Sequence, residues 1–88
     1  MWKADYTEAA RRTLKKLDRS VEKKIRAYVD RLVELPNPRM KGEALRGPLS
    51  EFWKYRLGDY RLVCRIQDDV LVVLVVKIGH RSKVYKQP

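Results

Sequence analysis

The sequence predicts an α+β fold, in which a helical hairpin packs on one face of a small, mostly antiparallel sheet in the order β-α-α-β-β-β. Two observations predict it. Apolar residues of the first half recur every three or four positions, and the last third is rich in β-branched and aromatic residues between turn dipeptides. Because 88 residues are about half the length of a typical domain, we expect a single domain over residues 1–88.

The first two elements are a strand and a helix. Trp2, Ala4 and Tyr6 alternate with charged residues, which is the period of a half-buried strand. Thr7 can cap the helix that follows, because its hydroxyl can accept a hydrogen bond from an amide of the first turn. Apolar residues at helical spacing extend this helix to Leu17.

A second helix and a long loop come next. Asp18 or Ser20 restarts the helix, and the apolar pattern runs from Val21 to Leu35, before Pro36. Residues 36–51 contain three of the four prolines and two glycines without a sustained period. They are therefore predicted to be a connecting loop.

Three strands are predicted in the last third, over residues 52–57, 60–67 and 70–78. Gly58-Asp59 and Asp68-Asp69 separate them and predict hairpin turns, so the strands form an antiparallel meander. The last strand begins with seven apolar residues, which favours a position in the interior of the sheet.

Charge and composition limit the classes of function. The chain has 21 Lys and Arg against 11 Asp and Glu, a net charge of +10, so we expect a polyanionic partner. One cysteine and one histidine exclude internal disulfides and metal sites built on several cysteines or histidines. No signal peptide or membrane-length apolar run is present in the sequence, which predicts a soluble cytoplasmic protein.

Strand alternation predicts a cationic patch. Because residues i and i+2 of a strand share a face, the apolar set of Tyr55, Leu62 and Cys64 should face the helices. The opposite, open face then carries four basic residues with no carboxylate among them: Lys54, Arg56, Arg61 and Arg65. Such mutually repelling charges favour an anion-binding surface.

The segment after the last strand adds groups suited to RNA. His80 and Tyr85 can transfer a proton or stack on a base, and Arg81 and Lys83 add positive charge. Cys64 shares the core-facing alternation, so no Cys-His nucleophile is predicted.

Three motifs resemble the RelE/ParE superfamily of bacterial toxins. They are Leu45-Arg46-Gly47, the stretch from Trp53 to Val63 that contains Gly-Asp-Tyr-Arg-Leu-Val, and Gly79-His80-Arg81 with Val84-Tyr85. Lys54 together with Arg56 is similar to the RelE branch rather than to the ParE branch, whose members poison gyrase.

The resemblance implies a RelE-like microbial RNase fold and a metal-independent endoribonuclease without cofactors. Such a toxin cuts mRNA in the ribosomal A site, by attack of a 2′-OH on the adjacent phosphate, and is inhibited by an acidic antitoxin. Implied catalytic residues are Lys54, Arg61, Arg81 and Tyr85, with His80 at a variable position; implied RNA-binding residues are Arg56, Arg65, Lys83 and Arg46.

Several alternatives stay open at this point. Lys54 is a candidate base because neighbouring cations disfavour its protonated form, and either His80 or Tyr85 is a candidate acid. The roles of Arg81 and Lys83 could be exchanged. A ParE-like gyrase poison and a non-catalytic, basic RNA-binding module are the two rival functions.

Overall fold

Within residues 1–80, which the computed structural model describes, five strands and two helices form one layered unit. They are β1 (Lys3–Tyr6), α1 (Glu8–Lys16), α2 (Arg19–Leu32), β2 (Glu43–Ala44), β3 (Trp53–Leu57), β4 (Tyr60–Gln67) and β5 (Val72–His80). The strand order is β1-β5-β4-β3-β2; β1 is parallel to β5, and the other neighbours are antiparallel. The predicted α+β class is confirmed.

The two helices begin close to their predicted positions. The Thr7 hydroxyl accepts a hydrogen bond from the Ala10 amide, which confirms Thr7 as the N-cap of α1. Asp18 occupies the N-cap position of α2 and accepts a hydrogen bond from the Ser20 hydroxyl. Helix α2 ends at Leu32, three residues earlier than the apolar pattern predicts, and a turn follows.

The segment predicted to be a loop contains regular structure. Glu43 and Ala44 form β2, whose partners on β3 are Lys54 and Trp53, so the loop prediction is wrong at this point. Two 3₁₀ turns flank the strand, at Pro38–Met40 and Gly47–Leu49. A two-residue strand has no measurable period, and pairing with a neighbour defines it.

Both predicted hairpin turns are present, but the second is longer than the dipeptide Asp68-Asp69. It also includes Val70 and Leu71, which are exposed, and Leu71 has a positive φ of 56°. Strand β5 therefore begins at Val72, not at Val70. It lies between β1 and β4, as predicted for an interior strand.

The core lies between the helices and one face of the sheet. Tyr55, Leu62 and Cys64 are fully buried there, which confirms the predicted alternation of β3 and β4. A register shift in the β4–β5 pair lets residues of both parities on β5 reach this core, namely Val73, Val75 and Ile78. No helix among residues 1–80 is long and apolar enough to cross a bilayer.

Candidate active site

Three basic side chains meet on the open face, which is the face of the sheet turned away from the helices. Arg56 of β3 and Arg61 of β4 are directly opposed, and Lys54 is opposite Val63. Directly opposed residues of an antiparallel pair share a face, so all three lie opposite the buried Tyr55 and Leu62. They line a pocket of about 240 Å³ together with Glu43 and Tyr55, here named the cationic pocket.

Arg61 is nearly buried, with 9% of its surface exposed. Its Nη1 donates to the carbonyl oxygens of Gly58 and Tyr60, each at 3.1 Å. These two carbonyls belong to the β3–β4 turn and its edge, so the hairpin itself orients the guanidinium. A planar guanidinium has further N–H donors, which suits it to hold an anion in a fixed direction.

Glu43 adds a carboxylate that the sequence did not predict at this face. Its Oε2 lies 3.2 Å from Nζ of Lys54, its partner across the β2–β3 pair. The expectation of an open face without interleaved carboxylates is therefore wrong. Glu43 was missed because it comes from the segment predicted to be a loop, and no sequence pattern places that segment beside β3.

Arg65 and Arg46 lie outside the lining of the cationic pocket. Arg65 donates to Glu51 at 2.9 Å, a second carboxylate at the open face, and its guanidinium lies 5.3 Å from the centre of the Phe52 ring. Arg46 is exposed in the segment after β2. Five of the predicted basic residues lie within the part of the chain that the structure describes, and three of these five meet in the cationic pocket.

His80 is also separated from the cationic pocket. Arg61 is paired with Gly79 across β4 and β5, whereas His80 is paired with Tyr60, so alternation turns its side chain to the helix face. The rings of His80 and Tyr60 meet edge to face with centroids 5.8 Å apart. Three further predicted residues, Arg81, Lys83 and Tyr85, lie outside the described residues.

A model of the ParE toxin family of type II toxin–antitoxin systems matches residues 4–85. The chain belongs to this toxin family. It is 36% identical over 87 residues to the mRNA interferase toxin RelE of Escherichia coli strain K12, an alignment that covers 94% of this chain and 88% of the relative. The resemblance to the RelE branch of the superfamily is thereby confirmed.

Solved structures of similar toxins have the same fold as this toxin-family chain. The toxin–antitoxin complex RelBE2 from Mycobacterium tuberculosis matches with a TM-score of 0.82 and 28% identity, covering 93% of each chain. The isolated Escherichia coli RelE toxin matches with a TM-score of 0.75 and 30% identity, covering 97% of this chain and 92% of the other.

The described residues of this toxin-family chain give little support for a cysteine nucleophile or a metal site. Burial raises the pKa of the Cys64 thiol to about 12, so the thiol stays protonated near neutral pH. No group of three His, Cys, Asp or Glu residues within residues 1–80 has the arrangement of a metal site. Asp68 of the second turn binds the Arg39 guanidinium at 2.7 and 2.9 Å, and this contact lowers the pKa of its carboxyl.

Proposed function

We propose that this chain is the toxin of a type II toxin–antitoxin system and acts as an endoribonuclease on mRNA. The observation that carries the proposal is the convergence of Lys54, Arg56 and Arg61 on one pocket, in a chain similar over most of its length to an mRNA interferase toxin. Three cations around a single phosphate can hold an RNA strand and stabilise charge that develops during cleavage.

The proposed reaction needs no group beyond the RNA and the protein. The 2′-oxygen of a ribose bonds to the adjacent phosphorus while the bond from phosphorus to the 5′-oxygen breaks. One proton leaves the 2′-OH and another reaches the departing 5′-oxygen, so the products are a 2′,3′-cyclic phosphate and a 5′-hydroxyl. The protein must therefore supply a base, an acid and positive charge at the phosphoryl oxygens.

The described residues divide these tasks. Arg61 holds the phosphoryl oxygens, because its guanidinium is oriented before RNA arrives. Arg56, directly opposite, binds the same or the next phosphate, and Lys54 serves as the candidate base once Glu43 releases it. Arg81, Lys83 and Tyr85 keep the roles that the family resemblance implies.

Metal independence and the cellular setting are further parts of this proposal. A pocket lined by three cations and one carboxylate repels a divalent metal ion more than it attracts one, which favours acid–base chemistry without metal. We place the reaction in the ribosomal A site in the cytoplasm, and expect an acidic antitoxin as the inhibitory partner. The similar RelBE2 structure is a toxin–antitoxin complex, which supports the partner.

The test is to induce the chain without an antitoxin and map RNA ends. We expect translation to stop and mRNA fragments to appear, cut within codons, with a 5′-hydroxyl on one side and a 2′,3′-cyclic or 3′-phosphate on the other. Chelation of Mg²⁺ should leave the chemical step unaffected, with ribosome integrity measured separately. A need for added Mg²⁺ in that step would contradict the mechanism.

The ParE name of the matching family favours a second candidate, a toxin that poisons gyrase by protein contact. Such a toxin needs neither a phosphate pocket nor a proton-transfer set. Intact mRNA together with gyrase-dependent DNA breaks after induction would select this candidate. Substitution of Arg61 would then leave toxicity intact.

A further inference from the structure

The ion pair between Glu43 and Lys54 lies inside the cationic pocket, where RNA phosphate is proposed to bind. Glu43 is the carboxylate among the residues that line this pocket. The Lys54 side chain is 31% exposed and that of Glu43 is 70% exposed, so solvent and ligands reach both partners. A phosphate that enters therefore meets Lys54 already paired with an anion.

Other contacts than this ion pair also hold β2 against β3. The indole Nε1 of Trp53 donates to the Lys41 carbonyl at 2.7 Å, and the Leu45 amide donates to the Phe52 carbonyl at 3.0 Å. These bonds lie on either side of Glu43 and fasten β2 to β3. Exposed ion pairs contribute little to stability, so the placement of Glu43 calls for another reason.

We propose that Glu43 is an internal competitor of the RNA phosphate. In the RNA-free protein its carboxylate holds Lys54, and a phosphate that binds Lys54 competes with Glu43 for the ammonium group. The competition lowers the affinity of the pocket for every phosphate, so a single free phosphate is held weakly, whereas an RNA strand offsets the loss with its additional contacts. The identity of the anion as RNA rests on the proposed function; the competition itself rests on the geometry.

A second ion pair on the open face provides a matched control. Glu51 contacts Arg65 at 2.9 Å and is similarly exposed, at 63%, but neither residue lines the cationic pocket. Glu51→Gln removes the same charge from the same face as Glu43→Gln. A competitor role predicts that only the pocket carboxylate affects binding of one phosphate group.

The experiment measures binding of a trinucleotide RNA with 2′-O-methyl groups, which lacks the attacking hydroxyl and is not cleaved. We expect Glu43→Gln to tighten binding about 1.5-fold to fivefold, the scale of one exposed ion pair, and Glu51→Gln to change it little. In a Lys54→Met background the gain from Glu43→Gln should disappear. Thermal melts should show all variants folded.

Four results would overturn the proposal. They are unchanged or weaker binding by Glu43→Gln, an equal gain in Glu51→Gln, a gain that persists without Lys54, and no binding of the trinucleotide to any variant. Glu43→Gln could instead abolish cleavage at saturating RNA without tightening binding, which would assign the carboxylate to proton transfer. Failure of the whole chain to cleave mRNA would defeat the proposed function while the binding comparison still stands.

Discussion

The environment of Arg61 differs from that of an ordinary arginine on a solvent-exposed sheet face. Its alternation places it on the open face, yet its side chain is nearly buried and two backbone carbonyls fix one end of the guanidinium. A charged group is buried at low cost only when its donors are satisfied. The guanidinium is therefore held in one orientation before substrate binds, and a preorganised donor of this kind is what stabilisation of a transition state requires.

Arg61→Ala should lower single-turnover cleavage of mRNA about 100-fold or more, the scale of losing one oriented donor to a developing negative charge. It should also lower the melting temperature, because the carbonyls of Gly58 and Tyr60 lose their donor. Arg61→Lys keeps the positive charge but lacks the planar guanidinium and its several N–H donors. It therefore separates the contribution of charge from that of donor geometry. The measurements are rapid-quench kinetics and thermal melts.

The control for Arg61 is Arg12→Ala, which removes an exposed arginine of α1 paired with Glu8 at 3.5 Å. It should cleave at the parental rate. The assignment fails if folded Arg61→Lys and Arg61→Ala both cleave as fast as the parent.

His80 and Tyr85 are the two candidate acids, and of these two the structure describes His80. His80 contacts Tyr60 on the helix face, away from Arg61, so His80→Gln should retain most of the single-turnover rate. We expect Tyr85→Phe to cost about 10²–10⁴-fold if its hydroxyl protonates the 5′-oxygen, and only Tyr85→Ala to fail if the ring merely stacks. The pH–rate profile of each variant is the measurement.

The opposite pattern would reassign the acid. A loss of about 100-fold in His80→Gln, with a changed pH–rate profile, would mean that the histidine reaches the pocket during the reaction. Full activity in both His80→Gln and Tyr85→Ala would move the acid to Lys83 or Arg81.

At the scale of elements, the short strand β2 depends on a glycine. Gly42 has a φ of 75°, and a Cβ at this position would overlap the carbonyl oxygen of Lys54 and approach the Tyr55 ring to 2.8 Å. Both neighbours belong to β3, so neither can easily move. Only a residue without a side chain lets the backbone come close enough to pair Glu43 with Lys54.

Gly42→Ala should therefore lower the free energy of unfolding by about 2–4 kcal/mol, from left-handed backbone strain and overpacking together. Gly47→Ala is the matched control, since Gly47 has a φ of 66° but open space around it. It should cost only about 1–2 kcal/mol. Urea denaturation measures both, and equal losses would show that backbone strain alone makes Gly42 necessary.

The longer elements of the fold have a periodic sequence pattern, whereas the short strand β2 does not. Periodicity predicted both helices and the strands β1, β3, β4 and β5, because each buries an apolar face of several residues. It also placed Lys54, Arg56 and Arg61 on one face. It missed β2 and Glu43, which are defined by pairing across the sheet. It also did not reveal that Arg61 is nearly buried and donates to carbonyls of its own hairpin turn.

The whole molecule is positively charged on both of its layers. The cationic pocket lies on the open face of the sheet. The helices expose nine basic residues on their outer surface: Arg11, Arg12, Lys15, Lys16, Arg19, Lys23, Lys24, Arg26 and Arg31. With a net charge of +10 over 88 residues, the field attracts a polyanion from most directions before any specific contact forms.

This distribution predicts how an acidic antitoxin finds the protein. Raising the salt concentration from 50 to 500 mM shortens the screening length from about 14 Å to about 4 Å, so steering from a distance is lost while close contacts persist. The association rate should fall much more than the dissociation rate rises. Stopped-flow mixing measures both, with sucrose at equal osmolality as the uncharged control. An association rate indifferent to salt would mean that the partner reaches the surface without electrostatic steering.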